Sequence, residues 1–333
     1  MIESNRTGSD RPPRVSVIMP AYRAAPFIAE ALASVLAQTF QDFEILVVND
    51  GSPDQADLEA ALSPFASRIR YFDQPNRGVS AARNYAIHQA RGSFVAFLDS
   101  DDAWLPQYLD TQVRFLDQNP SAVAAVSDVL LFGDPVGSEV RHEWLRPGMA
   151  QLLGFEDMIC RRAGQLPSAT VVRRTTAIAA GLFDEQMRLG EDIEFSMRIC
   201  FSQGMIGYTK QALAKYRKNP DGAVAKLSPR DITQNERECL LRIGSKLPLE
   251  SRQRTVLERE IAGLQAELAM IDVYEDLAHQ QFHKAAKDLK QANRYYRDKR
   301  ILLAMVALKI FPRWTSRLLL ARKHGRQMAK ARP

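Results

Sequence analysis

Three carboxylates stand within four positions at the end of an apolar run, at Asp99, Asp101 and Asp102, with Ser100 after the first. Carboxylates this close repel one another strongly unless a cation lies between them. No His or Cys stands nearby, and oxygen ligands alone select Mg²⁺ or Mn²⁺, which completes its shell with phosphate oxygens and water. The cluster therefore predicts a divalent cation and a phosphorylated ligand.

A plainer interpretation of the same cluster is a helix cap. Asp102 directly precedes residues 103–106, which lead into a predicted helix, and Asp is a preferred N-cap residue. Capping explains Asp102 but not Asp99 and Asp101. We therefore assign those two residues to the cation and leave both roles open for Asp102.

Two further segments carry polar residues after an apolar run or a loop. Residues 49–52, Asn-Asp-Gly-Ser, have the composition of a turn, although Asp50 at a strand end could also accept a hydrogen bond from a base or a ribose. Arg83 lies in a predicted helix after the loop at residues 76–78. It could bind a nucleotide, or it could be an ordinary surface ion-pair residue.

An acidic pair, Glu191 and Asp192, follows Gly190 and opens the amphipathic segment 193–199. Acids in a first helical turn are favoured by the helix dipole, and this would be a sufficient structural reason. Alternatively, one of them is a general base whose pKa is raised by neighbouring acids and partial burial. The residues alone leave both interpretations open.

These candidates need a scaffold, and the pattern over residues 15–129 supplies one. Short apolar runs alternate there with amphipathic stretches, which is typical of β-α-β units on a mainly parallel sheet. The runs are residues 15–19, 43–48, 70–72, 94–98 and 122–126. Apolar residues at helical spacing predict helices over residues 27–36 and 105–118. Such sheets bind ligands beyond the carboxyl ends of their strands, where Asp50 and Asp99 stand.

The remainder of the chain has a helical pattern. Glycine is rare after residue 226, and long helices are predicted over residues 231–245, 251–278 and 282–296. Residues 268–278 and 282–292 are faintly similar to one helical-repeat hairpin, but a single hairpin cannot form a solenoid. The predicted organisation is a flexible leader at 1–13, an α/β domain at 14–226, a helical appendage at 227–298 and a basic amphipathic tail at 299–333.

Composition excludes several classes of protein. The chain of 333 residues is 46% hydrophobic, enough for a substantial core, so disorder throughout is excluded. Cys160, Cys200 and Cys239 form no CxxC pair, which argues against a disulfide framework or a thiolate zinc site and favours a cytoplasmic location. The first 14 residues lack the apolar core of a secretory signal.

The net charge of +6 is not spread along the chain. Residues 301–333 contain eight Lys and Arg and no acid, so the rest of the chain is slightly negative. A nucleic-acid-binding face should instead be spread over a folded domain, so we expect no nucleic-acid partner.

The basic tail begins with an apolar segment, residues 301–311, that is about half the length of a membrane span. Its continuation interleaves a tryptophan and leucines with cations, and these residues are Trp314, Leu318, Leu319, Leu320, Arg313, Arg317, Arg322 and Lys323. We interpret residues 301–323 as an interfacial helix that binds anionic lipid. This would place the protein peripherally on the inner face of the cell membrane, although a helix docked on the protein itself fits the pattern as well.

Taken together, the segments resemble the family 2 glycosyltransferases, which are inverting enzymes of the GT-A fold. The resemblance covers residues 13–217. It rests on the order of several short pieces, of which the opening strand at 15–22, the helix end at 34–39 and the strand and turn at 43–52 come first. The resemblance implies a nucleotide-diphospho-sugar transferase-like sheet flanked by helices, with a C-terminal helical appendage.

The resemblance also implies how a donor would be held. The main chain at Pro20, Ala21 and Tyr22, together with Asp50, would hold the nucleoside, and Arg83 would lie near the donor. The implied donor is a nucleotide-diphosphate sugar, foremost a UDP-sugar.

The remaining roles fall on the two acidic clusters. Asp99-Ser100-Asp101 would be the family's DXD motif, with Asp99 toward the ribose or the metal and Asp101 on Mn²⁺ or Mg²⁺. Asp192 would be the catalytic base, supported by Glu191. The expected reaction is a single displacement onto an acceptor hydroxyl with inversion, in the synthesis of a cell-envelope or extracellular polysaccharide or a glycolipid.

The chain departs from the family pattern at three places. Asn49 and Ala86 replace the usual Asp and Gly, and residues 218–222 replace a segment that often contains a His and serines. The resemblance therefore does not specify the acceptor. Two rival functions stay open on the sequence: another metal-dependent nucleotide enzyme, such as a nucleotidyltransferase, and a non-catalytic membrane-associated interaction protein.

Overall fold

The computed structural model describes residues 11–133, 139–145, 148–219, 222 and 224–330. It divides into two compact units, the first ending at Lys226 and the second beginning at Leu227. Most of the predicted leader therefore lies outside the described residues.

The first unit alternates strands and helices. Its elements are β1 (Val15–Ala21), α1 (Ile28–Leu36), β2 (Phe43–Asp50), α2 (Gln55–Leu62), β3 (Arg70–Gln74), α3 (Val79–Gln89), β4 (Phe94–Phe97), β5 (Ala103–Trp104), α4 (Tyr108–Gln118), β6 (Ala122–Gly133), β7 (Val140–His142), β8 (Leu152–Leu153), α5 (Phe155–Ile159), β9 (Thr170–Arg173), α6 (Arg174–Ala179), α7 (Glu191–Gln203) and β10 (Met205–Lys218).

These strands form one sheet in the order β3-β2-β1-β4-β9-β6-β10-β5, with β7 on β6 and β8 on β10. The pairs β3–β2, β2–β1, β1–β4 and β6–β10 are parallel. All five predicted runs are strands, which confirms the α/β prediction. The pattern did not reveal β9, a strand of only four residues that lies antiparallel between β4 and β6.

The core of this unit explains why its central strands are mostly apolar. Every residue of β1 is buried, as expected for a central parallel strand with both faces covered. The predicted first helix is α1, which buries Ile28, Ala31, Leu32 and Val35 at helical spacing. Packing on both faces fixes the strand ends, from which the polar residues emerge.

The second unit is helical, as predicted. Its helices are α8 (Pro229–Lys246), α9 (Ser251–Ala278), α10 (Phe282–Tyr296), α11 (Lys299–Ile310) and α12 (Pro312–Lys330). A core of Val273, Leu277, Ala285, Leu289 and Leu308 joins α9, α10 and α11.

The tail contains two helices where the sequence suggested one. The break falls at Phe311, and Pro312 then occupies a first helical position, where its missing N–H costs nothing. Within the described part of the chain, no helix is both long and apolar enough to cross a membrane.

Candidate active site

The polar strand ends meet at one edge of the sheet. β1 lies between β2 and β4 and runs parallel to both, with Ala21 opposite Asn49. Asp50 and Asp99 therefore emerge on either side of the end of β1. Because β1 pairs with β4 only as far as Ile18, the sheet is open toward β4 at Ala21, near the main chain predicted to hold a nucleoside.

One buried guanidinium joins two of the predicted clusters. Arg83, in α3, donates from Nη2 to Oδ1 of Asp99 at 2.7 Å and from Nη1 to Oε1 of Glu191 at 2.9 Å. Its side chain is 3% exposed, so it is not the surface ion-pair residue that the sequence left open. Burial alone would lower the pKa of Arg83, but the Asp99 and Glu191 carboxylates raise it above its usual value, so the group stays charged.

The Arg83 ring contact adds a further constraint. The guanidinium carbon lies 5.4 Å from the centre of the Phe183 ring. Asn84, the next residue of α3, donates to the Phe183 carbonyl and accepts from its N–H, both at 2.9 Å. α3 thus holds the turn before α7 as well as the acid at its start.

The acids of the cluster after β4 lie in different environments, and Asp102 is more deeply buried than Asp99 and Asp101. Asp102 is 1% exposed, and its Oδ1 accepts the main-chain N–H of Arg217 at 2.9 Å. The helix-cap interpretation of Asp102 is wrong, because α4 begins only at Tyr108 and has no side-chain cap. Burial, followed by the charges of Asp101 and Asp99, raises the pKa of Asp102 well above its ordinary value.

Asp101 has a different environment from Asp102. Its side chain is half-buried and takes part in no ion pair among the residues that the structure describes. Burial and the charge of Asp99 raise the pKa of Asp101 to about 6. Its main-chain carbonyl accepts from Nε of Arg217 at 2.8 Å, so β10 fixes the backbone of this loop.

The end of β10 contributes residues that the sequence did not assign to the site. Burial and the charges of Asp102, Asp101, Asp99 and Asp192 raise the pKa of Tyr216 to about 12, so its hydroxyl stays protonated at neutral pH. Such a hydroxyl is a hydrogen-bond donor at neutral pH.

Asp50 is used to hold a loop. Its Oδ1 accepts from Nε2 of Gln74 at 2.7 Å and from the main-chain N–H of Arg77 at 2.9 Å, while Oδ2 accepts from the N–H of Gly78 at 2.8 Å. The side chain is 3% exposed. Asp50 therefore orders the loop that leads into α3, and a contact with a nucleoside stays a prediction.

Asn49, where the family pattern has Asp, forms hydrogen bonds through both the nitrogen and the oxygen of its side-chain amide. Nδ2 donates to the Tyr71 hydroxyl at 3.0 Å, and Oδ1 accepts the Ser52 N–H at 2.9 Å. Gly51 between them has φ of 64°, and a Cβ there would lie 2.6 Å from the main-chain nitrogen of Asn76. The turn after β2 is therefore packed closely against the next loop.

The acidic pair begins α7 as predicted. Gly190 precedes the helix in a left-handed conformation with φ of 74°, which glycine adopts without strain. Glu191 is buried on Arg83, while Asp192 is half-buried and its Oδ1 accepts the N–H of Ile193 at 2.8 Å. Burial and the Glu191 charge raise the pKa of Asp192 to about 7, against the opposing effect of Arg83.

Two supporting residues carry no sequence signal at all. Ser168 belongs to no recognisable motif, yet its hydroxyl accepts the Asp99 N–H at 3.0 Å and its carbonyl accepts from Nε1 of Trp104 at 2.6 Å. Gln165 donates from Nε2 to the carbonyl of Asp192 at 2.8 Å. Both belong to the segment before β9, whose position in the sheet only the structure reveals.

The donor set fits a hard divalent cation. Asp99 and Asp101 offer carboxylate oxygens. Burial and, after it, the charge of Asp99 raise the pKa of Asp101, and a bound cation would offset the repulsion between the two acids. The described residues contain no group of three or more His, Cys, Asp or Glu side chains arranged to hold a metal. One or two carboxylates with phosphate oxygens and water are the usual arrangement for Mg²⁺, so this site would need its ligand to complete the shell.

Comparison with known proteins finds a family match for part of the first unit. Residues 16–163 match the family model described as glycosyl transferase family 2. An uncharacterized glycosyltransferase of Rickettsia conorii is 34% identical over 61% of this chain, and the matched segment spans about a third, 33%, of that relative's length.

Solved structures share the fold. The Staphylococcus aureus TarS 1-349 structure in complex with UDP-GlcNAc has a TM-score of 0.62 and 19% identity, covering 94% of this chain and 92% of TarS 1-349. The mannosyltransferase PcManGT of Pyrobaculum calidifontis in complex with GDP-Man and Mn²⁺ has a TM-score of 0.59 and 17% identity, covering 94% and 84%. These likenesses confirm the predicted GT-A fold. The family match over residues 16–163 confirms the predicted resemblance to the family 2 glycosyltransferases.

Proposed function

We propose that this protein is an inverting glycosyltransferase that moves a sugar from a nucleotide-diphosphate sugar to an acceptor hydroxyl. The observation that carries the proposal is the Arg83 bridge, which ties Asp99 after β4 to Glu191 at the start of α7. Arg83 thereby fixes the position of Asp99, which is assigned to the donor, relative to Glu191, which stands next to the assigned base Asp192. Neither cluster alone would specify this reaction.

Asp192 is the proposed general base. A carboxylate whose pKa is about 7 is balanced between its two protonation states at neutral pH, where a general base is most effective. It takes the proton from the acceptor hydroxyl while that oxygen attacks the anomeric carbon. The bond from that carbon to the diphosphate breaks, the nucleoside diphosphate leaves with the electron pair, and the configuration inverts.

Glu191 and Arg83 position the base. Arg83 neutralises Glu191, so Glu191 does not raise the pKa of Asp192 as far as a free charge would. Arg83 also supplies the counter-charge of the donor-side acid Asp99. Arg83 and Glu191 are therefore proposed to fix the position and the charge environment of Asp192. Asp192 itself carries out the proton transfer.

The donor is proposed to be a UDP-sugar held at the open end of β1, near Pro20, Ala21 and Tyr22. The UDP-GlcNAc bound to TarS supports the uridine nucleotide. The GDP-Man bound to PcManGT supports a nucleotide sugar but not the choice of base. The exposed Tyr22 ring lies just beyond β1, in reach of a ligand there.

Asp101 and Asp99 are the residues proposed to hold Mn²⁺ or Mg²⁺. A bound cation would supply charge neutralisation at the departing diphosphate. The Mn²⁺ bound in PcManGT supports the choice of metal. Chelation should accordingly weaken donor binding, which calorimetry with UDP and each metal would measure.

We further propose that the acceptor belongs to cell-envelope or extracellular polysaccharide or glycolipid synthesis, and that residues 301–323 contact an anionic membrane surface. The cationic, acid-free composition of that segment supports this location. An acceptor attached to a lipid would be presented at such a surface.

The product assay tests the proposed reaction. The full chain is incubated with candidate sugar nucleotides and Mn²⁺, and the released phosphate species are separated. Release of a nucleoside diphosphate is expected. Release of pyrophosphate would indicate nucleotidyl transfer instead, and the absence of any turnover or donor binding across the screen would leave the non-catalytic alternative.

A further inference from the structure

Helix α11 is apolar on two opposite faces, and only one of them is covered. Ile301, Ala304, Met305 and Leu308 face the core of the second unit. Leu302, Leu303, Val306 and Ile310 project from the other side and are at least half exposed. A helix that is apolar all round is normally buried all round, so the outer face lacks a partner among the described residues.

The start of α12 extends this exposed surface. Phe311 and Trp314 are 63% and 65% exposed, whereas Thr315 and Ser316 on the opposite side are buried. We define the apolar face as Leu302, Leu303, Val306, Ile310, Phe311 and Trp314. Large contiguous apolar surfaces on a folded protein mark interaction sites.

Cations flank the apolar face. On the helical wheel of α11, Arg300 lies on one side of the apolar stripe and Lys309 on the other, since successive residues are about 100° apart. In α12, Arg313 and Arg317 border Trp314, and all four of these basic side chains are exposed. No acidic residue occurs between Lys299 and Ala321.

This arrangement selects one occupant. In a two-fold dimer the same patch would meet itself, so the basic rims would repel each other with no acid to pair with. Anionic lipid matches both properties, because acyl chains accept the apolar residues and headgroups pair with the cations. Long basic side chains at the border can reach headgroups while their stems stay on apolar surface.

We propose that the apolar face docks on an anionic lipid surface, with Trp314 at the level of the headgroups. This inference rests on the membrane contact proposed above and names the surface that makes it. It does not depend on the chemistry of transfer. The exposed stripe runs along the length of α11, so docking through it lays that helix parallel to the membrane plane.

Vesicle binding of the full chain tests the proposal. Flotation is compared on neutral phosphatidylcholine vesicles and on vesicles that also contain phosphatidylglycerol. Binding should be about tenfold greater with the anionic lipid and should fall with added salt. The double variant Leu303→Ser, Trp314→Ser and the double variant Arg313→Glu, Arg317→Glu should each lose it.

A matched control keeps the result specific. Ile232 in α8 is 44% exposed and lies outside the apolar face, so Ile232→Ser should bind vesicles as the unchanged chain does. The blue shift of Trp fluorescence on binding should be lost in Trp314→Phe, because the other two tryptophans, the buried Trp104 and the half-buried Trp144, belong to the first unit and lie outside the apolar face. Circular dichroism checks that each variant is folded.

Three results would overturn the proposal: no flotation with anionic vesicles, equal flotation with neutral ones, or a dimer that the Leu303→Ser, Trp314→Ser variant dissociates in light scattering. Nucleoside diphosphate release is measured in the same variants without vesicles and should be unchanged. Loss of vesicle binding with normal release would therefore be separable from failure of the proposed reaction.

Discussion

The two units depart from the usual distribution of residues in opposite directions. In the first unit charged side chains are buried, with Arg83, Asp102 and Glu191 each less than a tenth exposed. In the second, large apolar side chains such as Leu303 and Trp314 are exposed. Both departures cost free energy in the isolated chain unless a partner compensates.

The compensation differs between the two regions. Arg83 is paired with Asp99 and Glu191, and one carboxyl oxygen of Asp102 accepts the main-chain N–H of Arg217. The other oxygen of Asp102 has no hydrogen-bond partner among the described residues. The apolar face has no such internal partner among the described residues. The comparison teaches that the charged network of the first region is formed within the protein, whereas the apolar face of the second leaves its side chains exposed for the lipid surface proposed above.

The largest effect should come from Asp192→Asn. An amide cannot take the acceptor proton, and general-base catalysis typically contributes about 10²–10⁴-fold. Nucleoside diphosphate release should fall by about that factor, while donor binding measured by calorimetry stays nearly unchanged. Asp57→Asn, an exposed acid in the first turn of α2, is the control and should retain full activity. Full activity of Asp192→Asn would remove the assignment of the base.

The second effect concerns the buried pairing. Arg83 and Arg77 each form an ion pair of 2.7 Å, with Asp99 and Glu185, but the Arg77 side chain is 63% exposed. Arg83→Ala should destabilise the first unit by about 3 kcal/mol, because it leaves the buried Glu191 and the half-buried Asp99 without a counter-charge. Arg77→Ala should change stability by less than about 0.5 kcal/mol. Hydrogen exchange of the β4 amides in urea resolves the first unit from the second.

Equal effects of Arg83→Ala and Arg77→Ala would contradict the description of the first region as internally compensated. Arg83→Lys refines the test. A single ammonium keeps the charge but cannot place two N–H groups in the fixed geometry of a guanidinium, so an intermediate loss is expected.

A smaller effect is expected from pH. Since the pKa of Asp192 is raised to about 7, the fraction in the carboxylate form falls about tenfold for each pH unit below that value. The carboxylate is the active form, so kcat/KM should rise with pH up to about 7 and then level off. The residual activity of Asp192→Asn should lack this rise, and a flat profile in the unchanged protein from about pH 5.5 to 8.5 would exclude Asp192 as the titrating base.

The local patterns were enough to predict much of the scaffold. Apolar runs gave β1, β2, β3, β4 and β6, and helical periodicity gave α9 over the range that the structure shows. Strand ends also located Asp50 and Asp99. These features depend on neighbouring residues, which is why a single sequence contains them.

The pairings across the site could not be predicted in this way. Arg83 meets partners 16 and 108 positions away, and Asp102 meets the main chain of Arg217 at a separation of 115. The insertion of β9 between β4 and β6 brings Ser168 to Asp99. Such contacts depend on the strand order, for which four residues of β9 carry too weak a pattern.

The smallest change in stability should come from a substitution on the exposed side of α11. Compared with a substitution on its buried side, it tests whether protein or an outside surface covers the apolar face. Leu303 is 68% exposed and Leu308 is 2% exposed on the same helix. Leu308→Ala should destabilise the second unit by about 3 kcal/mol through the cavity it leaves. Leu303→Ala should change stability by less than about 0.5 kcal/mol, because no packed neighbour is lost. Urea unfolding without lipid, followed by hydrogen exchange in α11, measures both. A loss for Leu303→Ala as large as that for Leu308→Ala would mean that protein already covers this face, and lipid could then not be its partner.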